Sequence, residues 1–313
     1  MNFRISAALV TTMLFWSSAF AAIRGALHEG YDPASIAVLR FVVASAVLGI
    51  YALTTRMRLP ERRDLPAILL IGSLGISAYH ILLNYGGRTV DAGTCAFLIS
   101  TSPVFTALIA RFYLKERLRL WGWMGICVSL CGVLLTALAK NKDAGLKIEP
   151  NALLVVGAAL SSAIYIVLHK PYLSRYKAAE FMTYMIWAGT LVLLGFLPHA
   201  LDQVRTVSLK GTLLVVYLGV FPAAIAYVTW TFLMSKFPVS RAVSFLYLQA
   251  PLATLFGWML LGEMPGSRAI LGGVLALCGV VIVNQIGKIS PSAPVTPASP
   301  APALDPSIKL KVL

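Results

Sequence analysis

The amino-acid sequence predicts an all-α integral membrane protein: ten transmembrane helices built as two inverted five-helix repeats. Three observations lead there. Of 313 residues, 58% are hydrophobic and only 12% charged, against about 25% charged in an ordinary soluble chain. The apolar residues come in ten runs of roughly the 20 residues that a helix needs to cross a hydrocarbon core about 30 Å thick. Finally, short stretches of sequence recur in the second half of the chain in the same order as in the first.

The runs fall at about 5–27, 33–55, 65–86, 90–113, 120–139, 151–170, 177–197, 210–233, 239–261 and 267–286. The first is ambiguous. Arg4, the apolar stretch Ala7 to Phe15 and the small-x-small sequence Ala19-Phe20-Ala21 also make the layout of a cleavable secretory signal. The recurrences favour a retained helix. "WSSAF" at 16–20 lines up with "LSSAI" at 160–164, "FLISTSP" at 97–103 with "FLYLQAP" at 245–251, and "LCGV" at 130–133 with "LCGV" at 277–280. The apparent cleavage site is thus the counterpart of a segment deep in the chain. Each half, 1–140 and 151–286, holds five spans, and an odd number turns the second half over in the membrane, the plan of many secondary transporters. The connections Lys115 to Arg119 and Gly262 to Gly266 are too short to join anything but antiparallel neighbours. Residues 287–313 change to "SPSAPVTPASPAPALDPS", a composition that cannot bury enough apolar surface to order itself. A disordered Pro/Ala-rich cytoplasmic tail is expected there.

The net charge of +14 does not call for a nucleic-acid partner, because sorting it by loop explains it. With both termini cytoplasmic, 17 Lys and Arg fall on the inner side and 8 on the outer, as the positive-inside rule requires of an inner-membrane protein. Cys95, Cys127, Cys131 and Cys278 lie inside spans without a CxxC, so apolar packing is expected and metal is not. His28, His80, His169 and His199 are scattered, and neither HExxH nor GxSxG occurs, which argues against an enzyme.

Depth then selects a candidate cavity. At a rise of about 1.5 Å per residue, Trp16, Ser17 and Ser18 reach the bilayer centre from one side and Ser161 and Ser162 from the other. Ser100, Thr101, Ser102, Tyr247 and Gln249 reach a similar level. Polar groups at that depth either glue helices together or line a wet cavity. The large Trp16 and Gln249 suit a cavity, while for the serines both readings stand. Tyr79, Tyr165, Tyr227 and Trp230 are expected to complete the lining. Arg40 and His80 are the strongly polar ionisable residues well inside spans. His80 is read as a substrate hydrogen bond or protonatable gate, against a neutral interhelical bond. Arg40 either receives a substrate carboxylate or snorkels to the outer interface. Pro103 and Pro251 are expected to kink helices 4 and 9 at midspan. Glu116 and Glu263, at the ends of those helices, are read as caps for the helices that follow, with gating as the alternative. No Asp or Glu falls at midspan, which disfavours a carrier of lipophilic cations and suits a neutral, zwitterionic or anionic solute.

Over residues 7–286 the chain resembles the EamA-like drug/metabolite transporter family. The resemblance rests on "FWSSAF", on "LRF" at 39–41, on "SPVFTALIARFYLKERL" at 102–118, on "SSAIYIVLHK" at 161–170, and on "APLATLFGWMLLGE" at 250–263 followed by "GGVLALCGVVIV". The "AYH" at 78–80 is similar to the Tyr-His of YddG-type amino acid exporters. The resemblance implies a ten-helix exporter of small metabolites with no cofactor. Its partners are a small-molecule substrate and the lipid bilayer, and two fused halves let a monomer build the site. A multidrug carrier, a membrane-embedded enzyme and a non-transporting sensor are the alternatives.

Overall fold

The computed structural model describes residues 2–88, 98–116, 119–140, 151–249, 251–252, 255–256 and 267–283, and every regular element among them is helical. Glu263, Cys95 and the tail beyond Gly287 lie outside the described residues. We label the helices α1 (Phe3–His28), α2 (Pro33–Thr54), α3 (Arg62–Gly86), α4 (Ser102–Tyr113), α5 (Leu120–Lys140), α6 (Ala152–His169), α7 (Ala178–Thr206), α8 (Leu209–Lys236), α9 (Val239–Leu248) and α10 (Ser267–Val281). Six of them, α1, α2, α3, α6, α7 and α8, are long and apolar enough to cross a membrane, and shorter apolar stretches lie in α5, α9 and α10. Large hydrophobic side chains stand exposed on the outside of nearly every helix, among them Leu14, Ile50, Phe112, Leu153, Leu191, Leu213 and Val274. Such a surface suits lipid, not water.

Local chemistry sets the helix ends. Asp32 caps α2 by accepting from Ala34 N at 2.9 Å and Ser35 N at 3.3 Å, and Pro33 occupies the first turn, where its missing N–H is no loss. Ser208 caps α8 through Gly211 N at 3.1 Å. Span 7 was expected to end near 197. The helix instead tightens over Leu194–Phe196 and continues through Pro198 to Thr206, because a proline in the first turn of a new helical stretch leaves its hydrogen bonds intact. The same rule corrects the reading of Pro103. It stands in the first turn of α4, after a turn at Ser100–Thr101, so the chain is broken ahead of it and no mid-helix kink forms. Pro251 is helical and lies against Gly273.

Two helices are widened at corresponding depths. The turns Ser73–Ala78 in α3 and Gly219–Ile225 in α8, the latter containing Pro222, are π-helical. A π turn bulges one residue outward and turns carbonyls toward neighbours. Leu74 O accepts from Ser161 Oγ of α6 at 2.9 Å, and Pro222 O accepts from Trp16 Nε1 of α1 at 3.1 Å. α1 packs on α8 through small residues and two hydroxyl pairs, Thr12 with Thr229 at 2.7 Å and Ser18 with Tyr217 at 2.6 Å. α2 meets α7 through Ser45 and Thr190 at 2.8 Å, and Trp187 Nε1 donates to Ser45 O at 3.2 Å.

α5 and α10 approach most closely. A Cβ at Gly132 would sit 2.5 Å from Ala276 N and 2.6 Å from Gly272 O, and one at Gly279 would sit 2.5 Å from Gly125 O. Between these glycines Ser129 Oγ donates to Ala276 O at 3.1 Å, a partner 147 residues along. Lipid is as apolar as a helix flank, so close backbone packing and interhelical hydrogen bonds supply the attraction that water would supply elsewhere.

The α8–α9 corner is clamped by opposite charges matched to helix ends. Lys170 Nζ donates to Phe237 O at 2.6 Å and to Met234 O, at the C-terminus of α8. Glu116 accepts from Val239 N at 2.8 Å, Ser240 N at 3.1 Å and Ser240 Oγ at 2.5 Å. The carboxylate expected to cap the helix following it, α5, therefore caps α9, from 123 residues away. Both placements follow the helix dipole.

Gly132→Val forces a methyl into the backbone of α10, and overpacking of this kind costs about 1–3 kcal/mol. A clear drop in the melting temperature of detergent-purified protein is expected, while the same change at Gly49, where a Cβ meets nothing within 4 Å, should have little effect. Glu116→Ala should cost about 1–2 kcal/mol through the lost cap, read in the same assay.

Candidate functional site

Between α1, α2, α3, α6, α8 and the segments carrying Ser100 and Gln249 lies a cavity of about 80 Å³. It is lined by eleven of the residues that sequence reasoning selected: Trp16, Arg40, Tyr79, His80, Ser100, Ser102, Ser162, Tyr165, Tyr227, Trp230 and Gln249. Phe20 joins them. Ser18 bonds Tyr217 and Thr101 bonds Leu98 O instead, and three further selected residues are turned elsewhere. Ser161 bonds the widened turn of α3. Ser17 is buried, and its hydroxyl has no hydrogen-bond partner among the described residues. Tyr247 packs with Ile126, Ala276 and Val280 in the α5–α10 cluster. For all three, depth was right and helix face decided the placement.

One wall is a chain of polar contacts. Arg40, 2% exposed, puts Nη1 3.5 Å from His80 Nδ1, and His80 Nε2 lies 3.0 Å from the Tyr227 hydroxyl. A guanidinium has donors only, so a neutral His80 accepts at Nδ1 and donates from Nε2. Tyr227 then keeps its own proton to offer. His80 and Tyr227 are 147 residues apart, one just after each widened turn, and the turns aim both side chains at the middle of the molecule. Gly75 is required there, since a Cβ would meet the Tyr165 ring at 2.5 Å.

Aromatic rings pack directly against this chain of polar contacts. The Trp16 ring lies 5.2 Å from Tyr227 and 5.3 Å from Trp230, centroid to centroid, and Phe41 and Tyr79 flank His80 at 4.8 and 4.7 Å. Such faces hold apolar or cationic groups of a ligand. No Asp, Glu or Lys lines the cavity among the described residues.

Sequence reasoning missed Pro222. A lone proline inside the apolar run "GVFPAAIAY" at 219–227 was a readable signal for a disturbed helix. That its carbonyl would fix the Trp16 indole was not readable, because the partner lies 206 residues away. The described residues include no group of His, Cys, Asp and Glu suited to a metal.

Comparison with known proteins agrees with this architecture. The family model for the EamA-like transporter family matches residues 4–138 and again residues 150–285. The chain is 39% identical over 278 residues to the uncharacterized transporter YdfC of Bacillus subtilis, covering 88% of this chain and 90% of that protein. It is 38% identical over 278 residues to a probable terminal-alkyne amino-acid exporter of Streptantibioticus cattleyicolor, covering 89% and 92%. A solved crystal structure shares the fold, with a TM-score of 0.73 at 20% identity over 92% of this chain and 98% of that one. The protein is a multi-pass membrane transporter, not an enzyme, and it belongs to the EamA-like transporter family.

Proposed function

We propose that this protein exports small amino-acid-like metabolites across the cytoplasmic membrane by alternating access, as ten helices in two inverted repeats, 1–140 and 151–286, with both termini and the tail 287–313 cytoplasmic, without a cofactor and as a monomer. The observation that carries the reading is the cavity at the His80–Tyr227 contact. It is small, about 80 Å³ beside the roughly 300–1,000 Å³ of sites for drug-sized ligands, and is lined by aromatic faces and hydrogen-bond donors. The likeness to a protein named as an amino-acid exporter supports the substrate class. The lack of an acidic side chain in the lining among the described residues weighs against a multidrug carrier of cations. The two stretches matched by one family model, and the meetings of residues 147 apart, support the repeats.

Alternating access needs contacts that break at one end while holding at the other, and each end of the molecule carries a polar cluster joining the two halves. At the end assigned to the cytoplasm, Asp64 receives Arg175 at 3.0 and 2.9 Å together with the Tyr176 hydroxyl, and Glu61 holds the same guanidinium at 3.0 Å. At the other end Glu29 pairs with Lys210 at 2.9 Å and accepts from Ser208, while Asp32 meets His199 at 3.3 Å. The first cluster joins the α2–α3 connection to the α6–α7 one, and the second joins α1–α2 to α7–α8. The clusters act in this reading as alternating gates.

The outer gate has a defined pH range. Hydrogen bonds from Ser208 and Lys210 hold the Glu29 carboxyl below the usual range. Burial pushes Asp32 up, but hydrogen bonds from Ser35 and Ala34 and the charge of His199 outweigh it and hold Asp32 low as well. A carboxyl lowered by folding stabilises the fold above its unfolded value of about 4 and loses that contribution as pH falls through the lowered folded value. Melting temperatures of wild type and Asp32→Asn should therefore differ at about pH 5 and converge as the pH falls below about 4.

Transport itself is tested by counterflow in proteoliposomes, with amino acids, organic acids, nucleosides and quaternary cations as loaded solutes. Saturable amino-acid exchange indifferent to cations is expected. Trp16→Ala and His80→Ala should each lower it at least about tenfold with insertion intact. Exchange of cations alone, or full flux in both variants, would refute the assignment.

A further inference from the structure

The cavity holds a charged donor with no acceptor to match. Arg40 is 2% exposed and forms no ion pair among the described residues. Its one hydrogen-bond partner among them is the His80 ring at 3.5 Å, and its Nε has none. The nearest acid along α2, Asp32, is two turns away, about 12 Å at helical rise, and is occupied by Ala34, Ser35 and His199. Three further buried polar atoms on the lining have no partner among the described residues: Tyr165 Oη, Trp230 Nε1 and Ser102 Oγ. The first and last are hydroxyls and the second is an indole N–H, so each can donate. Together with the proton that Tyr227 keeps, they give the lining residues several neutral donors besides the guanidinium.

Buried donors are normally satisfied, and an ionisable residue within a membrane normally has a partner of opposite charge. A ligand that supplies both an anionic charge and several acceptor lone pairs meets the two requirements at once. A planar carboxylate does so, with two oxygens that match the fork of an arginine.

We propose that Arg40 and Tyr165 form a carboxylate-binding end of the cavity, and that the site selects its solutes by their carboxylate and not by their ammonium group. This deepens the export reading above and rests on it for the identity of the site. An ammonium would find the aromatic faces of Trp16 and Trp230 and the neutral oxygens of Gln249 and the serines, but no carboxylate among the described residues, and each of these pulls on a cation more weakly than an ion pair does. Small 2-amino acids and the matching 2-hydroxy acids should therefore both be accepted, whereas amines and amides of the same size should not. Tyr165 lines the same cavity as Arg40, its ring is held against the widened turn of α3 at Gly75, and its hydroxyl has no partner among the described residues.

The test uses the purified full-length protein and four compounds of one size: L-norvaline, 2-hydroxypentanoate, norvalinamide and butylamine. Binding is read by thermal stabilisation in detergent, and flux by competition against labelled norvaline in counterflow. The two acids should bind at least about tenfold more tightly than the amide and the amine, as expected when a site built to pair a group meets an analogue lacking it. Arg40→Gln should abolish that preference. Tyr165→Phe, which removes one hydroxyl and no charge, should reduce it about fivefold to tenfold, so the inference stays testable if the arginine variant does not fold. Equal binding of acid and amide, binding of the amine as tight as that of norvaline, rejection of the hydroxy acid, or an acid preference that survives both substitutions would overturn it. If acids bind selectively while no amino acid exchanges, the carboxylate end stands and the export reading falls. If amino acids exchange with no acid preference, the reverse holds. Absence of binding by all four compounds would overturn both.

Discussion

The widened turns of α3 and α8 are the constraint on which the rest of the site depends. A π turn is less favourable than the α-helix it interrupts, so it persists where neighbours take up what it exposes. Here Ser161 bonds a carbonyl in one turn and Trp16 a carbonyl in the other. Positions 16 and 161 are one residue out of register in the alignment of "WSSAF" with "LSSAI", so the two bonds are near counterparts. One is made by a small hydroxyl that then vanishes from the cavity wall, the other by a large indole that becomes the wall. The difference puts an indole, and not a second hydroxyl, into the cavity lining. The bond between His80 and Tyr227 then ties the two turns to each other.

How much of this was legible in the sequence follows from which rules are local. Bilayer thickness imposes a length on every span, so the long helices α1, α2, α3, α6 and α8 were readable almost to their ends. Span 7 was misjudged at its end because Pro198 looks like a stop and serves as a start. Pro103 was misjudged for a related reason: its position relative to the first turn of α4 cannot be read until that turn is located. Glu116 was rightly seen as a cap, but its helix lies across the molecule. Depth along a helix is countable from sequence, and eleven of the residues selected there line the cavity. Helix face depends on the neighbours, which is why Tyr247 and Ser161 point away from it. Gly132 and Gly279 were visible as the glycines of the recurring "LCGV", whereas the approach of each to the backbone of the other helix is a purely tertiary fact.

The polar clusters at the two ends show the same division of labour, with the acids on the first half of the chain and the cations on the second. At one end the α6–α7 connection provides the cation Arg175 and the α2–α3 connection the acids. At the other, the α1–α2 connection provides the acids Glu29 and Asp32, and the α7–α8 side provides Lys210 and His199. Exposed pairs of this kind are individually weak, about 0–1 kcal/mol each. For a gate that is an advantage, since a strong pair would trap one conformation. The buried Asp64 is the exception, and the end that it holds should open less readily.

A guanidinium left without a counterion in a membrane-embedded core is destabilising, by several kcal/mol even after relaxation. The fold around Arg40 is correspondingly over-determined: Ile36, Ala37, Val38, Phe41 and Ala44 are fully buried, Asp32 caps the helix that carries them, and Gly219 lets α8 come so near that a Cβ there would meet the Arg40 carbonyl oxygen at 2.7 Å. An anion entering the cavity relieves the strain of the unpaired charge, and any ligand that binds the folded state alone also stabilises it. The same charge also explains how a carrier with so strong an anchor can let go. Attraction between unit charges falls steeply as the surrounding dielectric rises. When one end of the molecule opens, water reaches Arg40, its charge is solvated, and the grip on a carboxylate weakens without any movement of the arginine itself. In this scheme access and affinity are coupled by hydration, so the gate that admits water is also the device that releases the solute.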